Sequence, residues 1–170
     1  MATITIDSPR LVGFGESVDT TLVEVDTTGT AFAFNDIVVM ASGKADKLTA
    51  ATSATSVIAL AVEPSTDGYY EPVAGSAGNF GDQSTEKQVI LLGNGVEIEM
   101  STGNEALAQA DIGAVFALGY DSGTANSFVD LSASSTSGFR ITRVSDAVYG
   151  GVLGDTNTRV VGRFTDDICL

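Results

Sequence analysis

The sequence predicts an all-β, antiparallel fold: a small barrel or sandwich with an extended N-terminal arm. Three observations predict it. Apolar and polar residues alternate with a period of two, most clearly where Val96, Ile98 and Met100 interleave with Glu97 and Glu99. Turn-forming clusters of Gly, Ser, Asn and Asp interrupt the apolar runs at short spacing, as strands and hairpins require. Helical turns are expected at one short segment, over 105–110. A chain of 170 residues makes one domain, with or without an extension, and can bury a sizeable core unaided.

The elements follow in order. Ala2 to Ile6 alternates Thr3 and Thr5 with Ile4 and Ile6, which reads as a short strand. Pro9, Gly13 and Gly15 then break regular structure. Leu22 to Asp26 reads as another strand, followed by loop at Thr27 to Thr30. Residues 1–29 therefore read either as an extended arm or as edge strands of the main domain, residues 30–170. The arm reading expects the rest to fold without it. Phe32 and Phe34 alternate, and Asp36 to Met40 reads as a buried strand. Ser42 to Lys44 turns, and Lys47 to Ala51 pairs back. Val57 to Val62 is a central strand that Pro64 ends, because proline lacks the ladder donor. Ser65 to Glu86, with Pro72 and no basic residue, reads as a long loop or flap with room for a short strand at Tyr69 and Tyr70.

Gln88 to Leu92, the turn Gly93-Asn94-Gly95, and Val96 to Met100 form the clearest hairpin. Thr102 followed by Glu105 is a capping box, so one or two helical turns are expected over 105–110. Strands follow at 114–118 and 128–131, separated by the Asp121-Ser122-Gly123 turn. A polar loop is expected over 132–138. Strands at 139–144 and 148–153, a turn at 154–158 and a last strand at 159–164 close the chain.

Composition narrows the function. There is no histidine and one cysteine, Cys169. Most nucleophile–base triads and most zinc sites are thereby removed. No intrachain disulfide can form. The formal net charge of −14 argues against nucleic acid or an anionic membrane as partner, since both need a positive footprint. Met1 to Phe14 has no basic region and no continuous apolar run, so it does not read as a signal peptide. No apolar run is long enough to span a bilayer. A soluble protein made in a reducing cytoplasm is expected.

The candidates for chemistry are few. Glu97 and Glu99 share one strand face, roughly 7 Å apart by strand rise. Glycoside hydrolysis also uses paired carboxylates, but across a cleft; the alternation with Val96, Ile98 and Met100 reads them as solvent-facing. Asp155-Thr156-Asn157 and Asp166-Asp167 offer oxygen ligands, yet the same residues make turns and no complete calcium loop is present. The groups Gly93, Gly95, Gly103 and Gly150, Gly151, Gly154 lack the Lys-Ser/Thr of a phosphate loop. No catalytic residue, metal or cofactor is expected. The charge asymmetry is more informative: Arg140, Arg143, Arg159 and Arg163 are four of the eight basic residues. They read either as inter-subunit contacts that pair with a neighbour's acids or as internal partners of the chain's own surplus acids.

The stretch from Asn35 onward resembles the capsid decoration (cement) proteins of tailed bacteriophages. The carrying segments include Asn35-Asp36-Ile37-Val38-Val39 before the Ser42-Gly43 turn, and Ala59-Leu60-Ala61-Val62-Glu63. Val89-Ile90-Leu91-Leu92 with Gly95-Val96-Glu97-Ile98 and Ile112-Gly113-Ala114-Val115-Phe116-Ala117-Leu118 follow. Phe128-Val129-Asp130-Leu131, Gly138-Phe139-Arg140-Ile141 and Gly154-Asp155-Thr156-Asn157-Thr158-Arg159-Val160 complete them. The resemblance implies an all-β domain on the outer surface of an icosahedral head, made in the host cytoplasm. It implies the major capsid protein as partner, a homotrimer and no catalytic residues. The alternative is another extracellular β module: a tail-fibre, adhesin or carbohydrate-binding domain.

Overall fold

The structure is a computed structural model that describes residues 6, 8–13, 20–26, 29–41, 44–49, 57–62, 65, 86–92 and 95–165. The fold is all-β. Among the described residues, eleven strands form a closed five-stranded barrel and a six-stranded sheet. In chain order they are β1 (Arg10–Gly13), β2 (Thr20–Val25), β3 (Ile37–Ala41), β4 (Lys44–Lys47), β5 (Val57–Ala61), β6 (Glu86–Leu91), β7 (Glu97–Ser101), β8 (Val115–Asp121), β9 (Asn126–Ser134), β10 (Phe139–Val144) and β11 (Arg159–Phe164). Among the described residues no helix is long and apolar enough to cross a membrane.

The barrel runs β2-β4-β3-β5-β6 and closes where β6 pairs with β2. All its pairings are antiparallel except β2 with β4, which is parallel. Val23, Val25, Val38, Ala45, Ala59, Ala61 and Val89 fill its interior with Phe32. Five strands enclose a narrow lumen, and the three alanines suit it. Asp36 and Lys47 are buried together, with the ammonium 2.7 Å from the carboxylate. Asp36 also accepts the Ala33 N–H at 2.6 Å, so its charge is satisfied from two sides.

Residues 20–25, part of the span read as arm or edge strands, are a wall of this barrel. β1 lies at the edge of the sheet, paired with β7. Within residues 1–29, β1 is therefore built into the six-stranded sheet and β2 into the barrel.

The six-stranded sheet has the order β1-β7-β11-β10-β8-β9. It curls until Thr102 bridges Val129, and the Gly103 N–H donates to the Val129 carbonyl at 3.2 Å. The sheet thus nearly closes into a second barrel. Its core of Ile98, Met100, Phe116, Leu118, Val129, Phe139, Ile141, Val160 and Phe164 is continuous with Ile37, Leu60 and Ile90 of the first barrel. On β3, β5 and β6 these three alternate with the lumen residues, so each strand serves two cores.

Several boundaries differ from expectation. The helical turns expected at 105–110 are replaced by a single 3₁₀ turn, Gln109–Asp111. The Asp111 carboxylate, not that of Glu105, accepts the backbone N–H three residues back, from Ala108 at 2.8 Å. β9 runs through the expected loop as far as Ser134, because Ser134 pairs with Phe116 across a register shift. β4 begins at Lys44, inside the expected turn, and faces Ala41. At the β8–β9 turn the Asp121 carboxylate accepts the Thr124 hydroxyl at 2.7 Å and the Gly123 N–H at 3.2 Å. The Thr124 hydroxyl, and then the Gly123 N–H, hold this carboxyl below its ordinary pKa. Gly119 lies under the ring of Phe128, its partner in β9, and a Cβ there would collide with the ring. The expected strand at Ala2 to Ile6, apart from Ile6 itself, and the flap over Thr66 to Thr85 fall outside the described residues.

Candidate functional site

β7 carries two different faces. Ile98 and Met100 enter the core, while Glu97, Glu99 and Ser101 point the other way. The alternation reads both glutamates as solvent-facing; Glu99 is instead 0% exposed. The correction has a physical cause. β1 adds to the edge of β7 with Arg10 opposite Glu99, and β11 lies on the other side with Val161 opposite it. Arg10 ion-pairs with the Glu99 Oε2 atom. The Arg159 guanidinium approaches the same oxygen at 3.3 Å. The Ser145 hydroxyl donates to Oε1. Both carboxylate oxygens are thus engaged, which is the condition under which a charge can be buried.

The cluster fastens the N-terminal segment to the sheet. Arg159 also donates to the Ser8 carbonyl at 3.3 Å and to the Ser101 hydroxyl at 3.4 Å. The Tyr149 ring sits over the Arg10 guanidinium, 4.1 Å from centroid to carbon, a cation–π contact. Glu97 accepts from Arg143 at 2.7 Å and from the Thr142 hydroxyl at 3.2 Å. A recess of about 380 Å³ opens among Arg10, Glu99, Arg143, Ser145, Asp146 and Tyr149. Chemically, the two glutamates serve as counter-ions to arginines. They sit two residues apart on one strand face, with no cleft between them for a scissile bond.

Beside this recess the expected strand at 148–153 is absent. The chain forms a 3₁₀ turn, Ala147–Tyr149, that ends at Gly150 with φ 87°. A run of turns then leads to β11. This region exposes four large apolar side chains: Val148 at 89%, Tyr149 at 51%, Val152 at 41% and Leu153 at 46%. Its backbone is nonetheless well tied down. The Val152 N–H donates to the Thr158 hydroxyl at 2.6 Å and the Gly154 N–H to the Leu107 carbonyl at 2.9 Å. The Arg159 N–H returns to the Gly150 carbonyl at 3.1 Å, and the Leu107 N–H to the Asp155 carbonyl at 3.1 Å. Apolar content suggests a strand here; the glycines at 150, 151 and 154 are the signal for turns.

The four arginines separate into two pairs. Arg143 and Arg159 are used internally, by Glu97 and Glu99. Arg140 and Arg163 are exposed and stand directly opposite each other on β10 and β11. Arg10 and Tyr149 complete the cluster and are not singled out by sequence, because their partners come from distant strands. Asn157 lies in a turn and Asp155 just before it, between two turns. Asp166, Asp167 and Cys169 lie outside the described residues. Among the described residues no three Cys, Asp or Glu side chains gather as a metal site would require. Comparison with known proteins finds no matching family model, no matching curated protein and no matching solved structure.

Proposed function

We propose that this chain is a capsid decoration (cement) protein of a tailed bacteriophage. In this reading it binds the outer surface of the icosahedral head as a homotrimer and stabilises contacts between major capsid proteins. It performs no catalysis. The observation that carries the reading is the 147–154 turn region, where four apolar side chains project from a backbone held by hydrogen bonds to β11 and to Leu107. Solvent-exposed apolar groups along one hydrogen-bonded segment suit a docking surface, and a preorganised surface loses little entropy on binding. The all-β scaffold and the likeness of the segments from Asn35 onward support the same reading.

The test is addition of purified protein to expanded phage heads that lack a decoration protein, followed by cryo-electron microscopy. Threefold density between capsomers is expected. Val148→Asp with Leu153→Asp is expected to reduce occupancy at least tenfold while leaving the thermal midpoint unchanged. Absence of density on any expanded head would overturn the reading. Clear hits on a glycan array would favour the carbohydrate-binding alternative.

A further inference from the structure

Arg140 and Arg163 occupy an unusual position in a chain of 22 acidic and eight basic residues. Arg10, Lys44, Lys47, Arg143 and Arg159 each form an ion pair with a glutamate or aspartate. Lys87 is buried, at 2% exposure, and has its own partner. Arg140 and Arg163 have no acidic partner among the described residues. They are also placed against each other. In the β10–β11 ladder Phe139 faces Phe164 in the core, and one residue further Arg140 faces Arg163 on the outside. Like charges directly opposite across strands repel and destabilise a sheet. With so many acids available, relief by a local carboxylate would need only one substitution, and the described structure does not supply one.

The pair is also arranged to receive something. Arg140 is steadied by a hydrogen bond from its guanidinium to the Gly113 carbonyl at 3.2 Å. An open recess of about 260 Å³ lies among Arg140, Arg163, Phe164 and Thr165. Two guanidinium forks on neighbouring strands match the planar oxygens of a carboxylate, which arginine binds in bidentate fashion. The net charge of −14 selects among anions by long-range repulsion. A polyanion such as nucleic acid is repelled strongly, whereas a segment with only one or two carboxylates is repelled weakly and its repulsion is screened by salt.

We propose that Arg140 and Arg163 form a binding site for one or two carboxylates presented by an otherwise neutral peptide segment of a partner protein. The site is independent of the capsid reading: it requires only a protein partner, whichever that is. It narrows the four arginines of the sequence to the two whose charge is not matched by an acid among the described residues.

The test uses the whole chain and the probe peptide acetyl-Gly-Ser-Glu-Asp-Ser-Gly-amide, followed through the Nε–Hε NMR signals of Arg140 and Arg163. Saturable shifts of both signals are expected, with a midpoint raised at least tenfold by Arg163→Gln or Arg140→Gln. The same variants should keep or raise the thermal midpoint, since they relieve the repulsion; this separates loss of binding from loss of folding. Absence of saturable shifts would overturn the proposal. So would equal binding of the Gln-Asn version of the peptide. Binding of inorganic phosphate or of an oligonucleotide as tight as that of the peptide would also overturn it, as a general anion site. A peptide affinity raised tenfold by Asp166→Asn with Asp167→Asn would assign the recess to the chain's own terminus and overturn the proposal too.

Discussion

Phe139 and Phe164 meet edge to face in the core, with ring centroids 5.3 Å apart and planes at 71°. They are direct partners in the β10–β11 ladder, so the same register that joins these rings also sets Arg140 against Arg163 outside. Gly162 is required in this ladder: a Cβ there would strike the Arg140 carbonyl and the Phe139 ring.

Phe139→Ala should therefore be among the costliest substitutions. The ring is 0% exposed, and truncating a buried phenylalanine costs about 3–5 kcal/mol. Urea unfolding should show the midpoint falling with little change in slope. A loss under about 1 kcal/mol would mean that the core refills the cavity.

Glu99→Gln keeps the shape of the side chain and removes its charge. The charge that Arg10 and the nearly buried Arg159 both pair with is then gone, and breaking one side of a buried pair costs about 3 kcal/mol or more. The Nε of Arg10 that pairs with Glu99 is itself buried, so Arg10→Ala, which leaves Glu99 to Arg159 and Ser145, should cost about 1–3 kcal/mol. Hydrogen exchange should speed up first in β1, which Glu99 holds to the sheet. Unchanged protection of residues 10–13 would show that the ladder alone retains the strand.

Deletion of residues 1–29 should open the barrel. It removes β2, the strand between β4 and β6, and leaves Val89, Ala45 and the rest of the lumen open on one side. The truncated chain should lose its cooperative unfolding transition by near-ultraviolet circular dichroism. A cooperative transition with an unchanged midpoint would restore the reading of this span as a dispensable arm.

Asp121 should contribute a stability that depends on acid pH. Its folded pKa is lowered, by the Thr124 hydroxyl and then the Gly123 N–H. The unfolded state therefore binds the proton more readily, so stability from this group is present above the ordinary carboxyl value of 3.8. It is lost as pH falls below that through the folded value. The group lies in a surface turn, where solvent screens it, so the effect is small. Asp121→Asn should flatten the stability profile below pH 4 (roughly the ordinary carboxyl range) and leave its shape at neutral pH unchanged.

The all-β class is legible in the amino-acid order alone, because period-two alternation and closely spaced turns are local properties. Val96, Ile98 and Met100 were legible as core from their own spacing, as were Val38 and Ala59 as buried strand residues. Everything that depends on which strands become neighbours comes from long-range packing. Glu99 alternates like a solvent-facing residue, and only the arrival of β1 and β11 on either side turns it into a buried counter-ion. Val148 to Leu153 is apolar enough for a strand, yet hydrogen bonds between Val152 and Thr158 and between Gly150 and Arg159 hold it as exposed turns. The four arginines look alike in sequence. Register alone gives Arg143 and Arg159 a glutamate each and leaves Arg140 facing Arg163, because pairing across a sheet is set by non-local contacts that no single strand encodes.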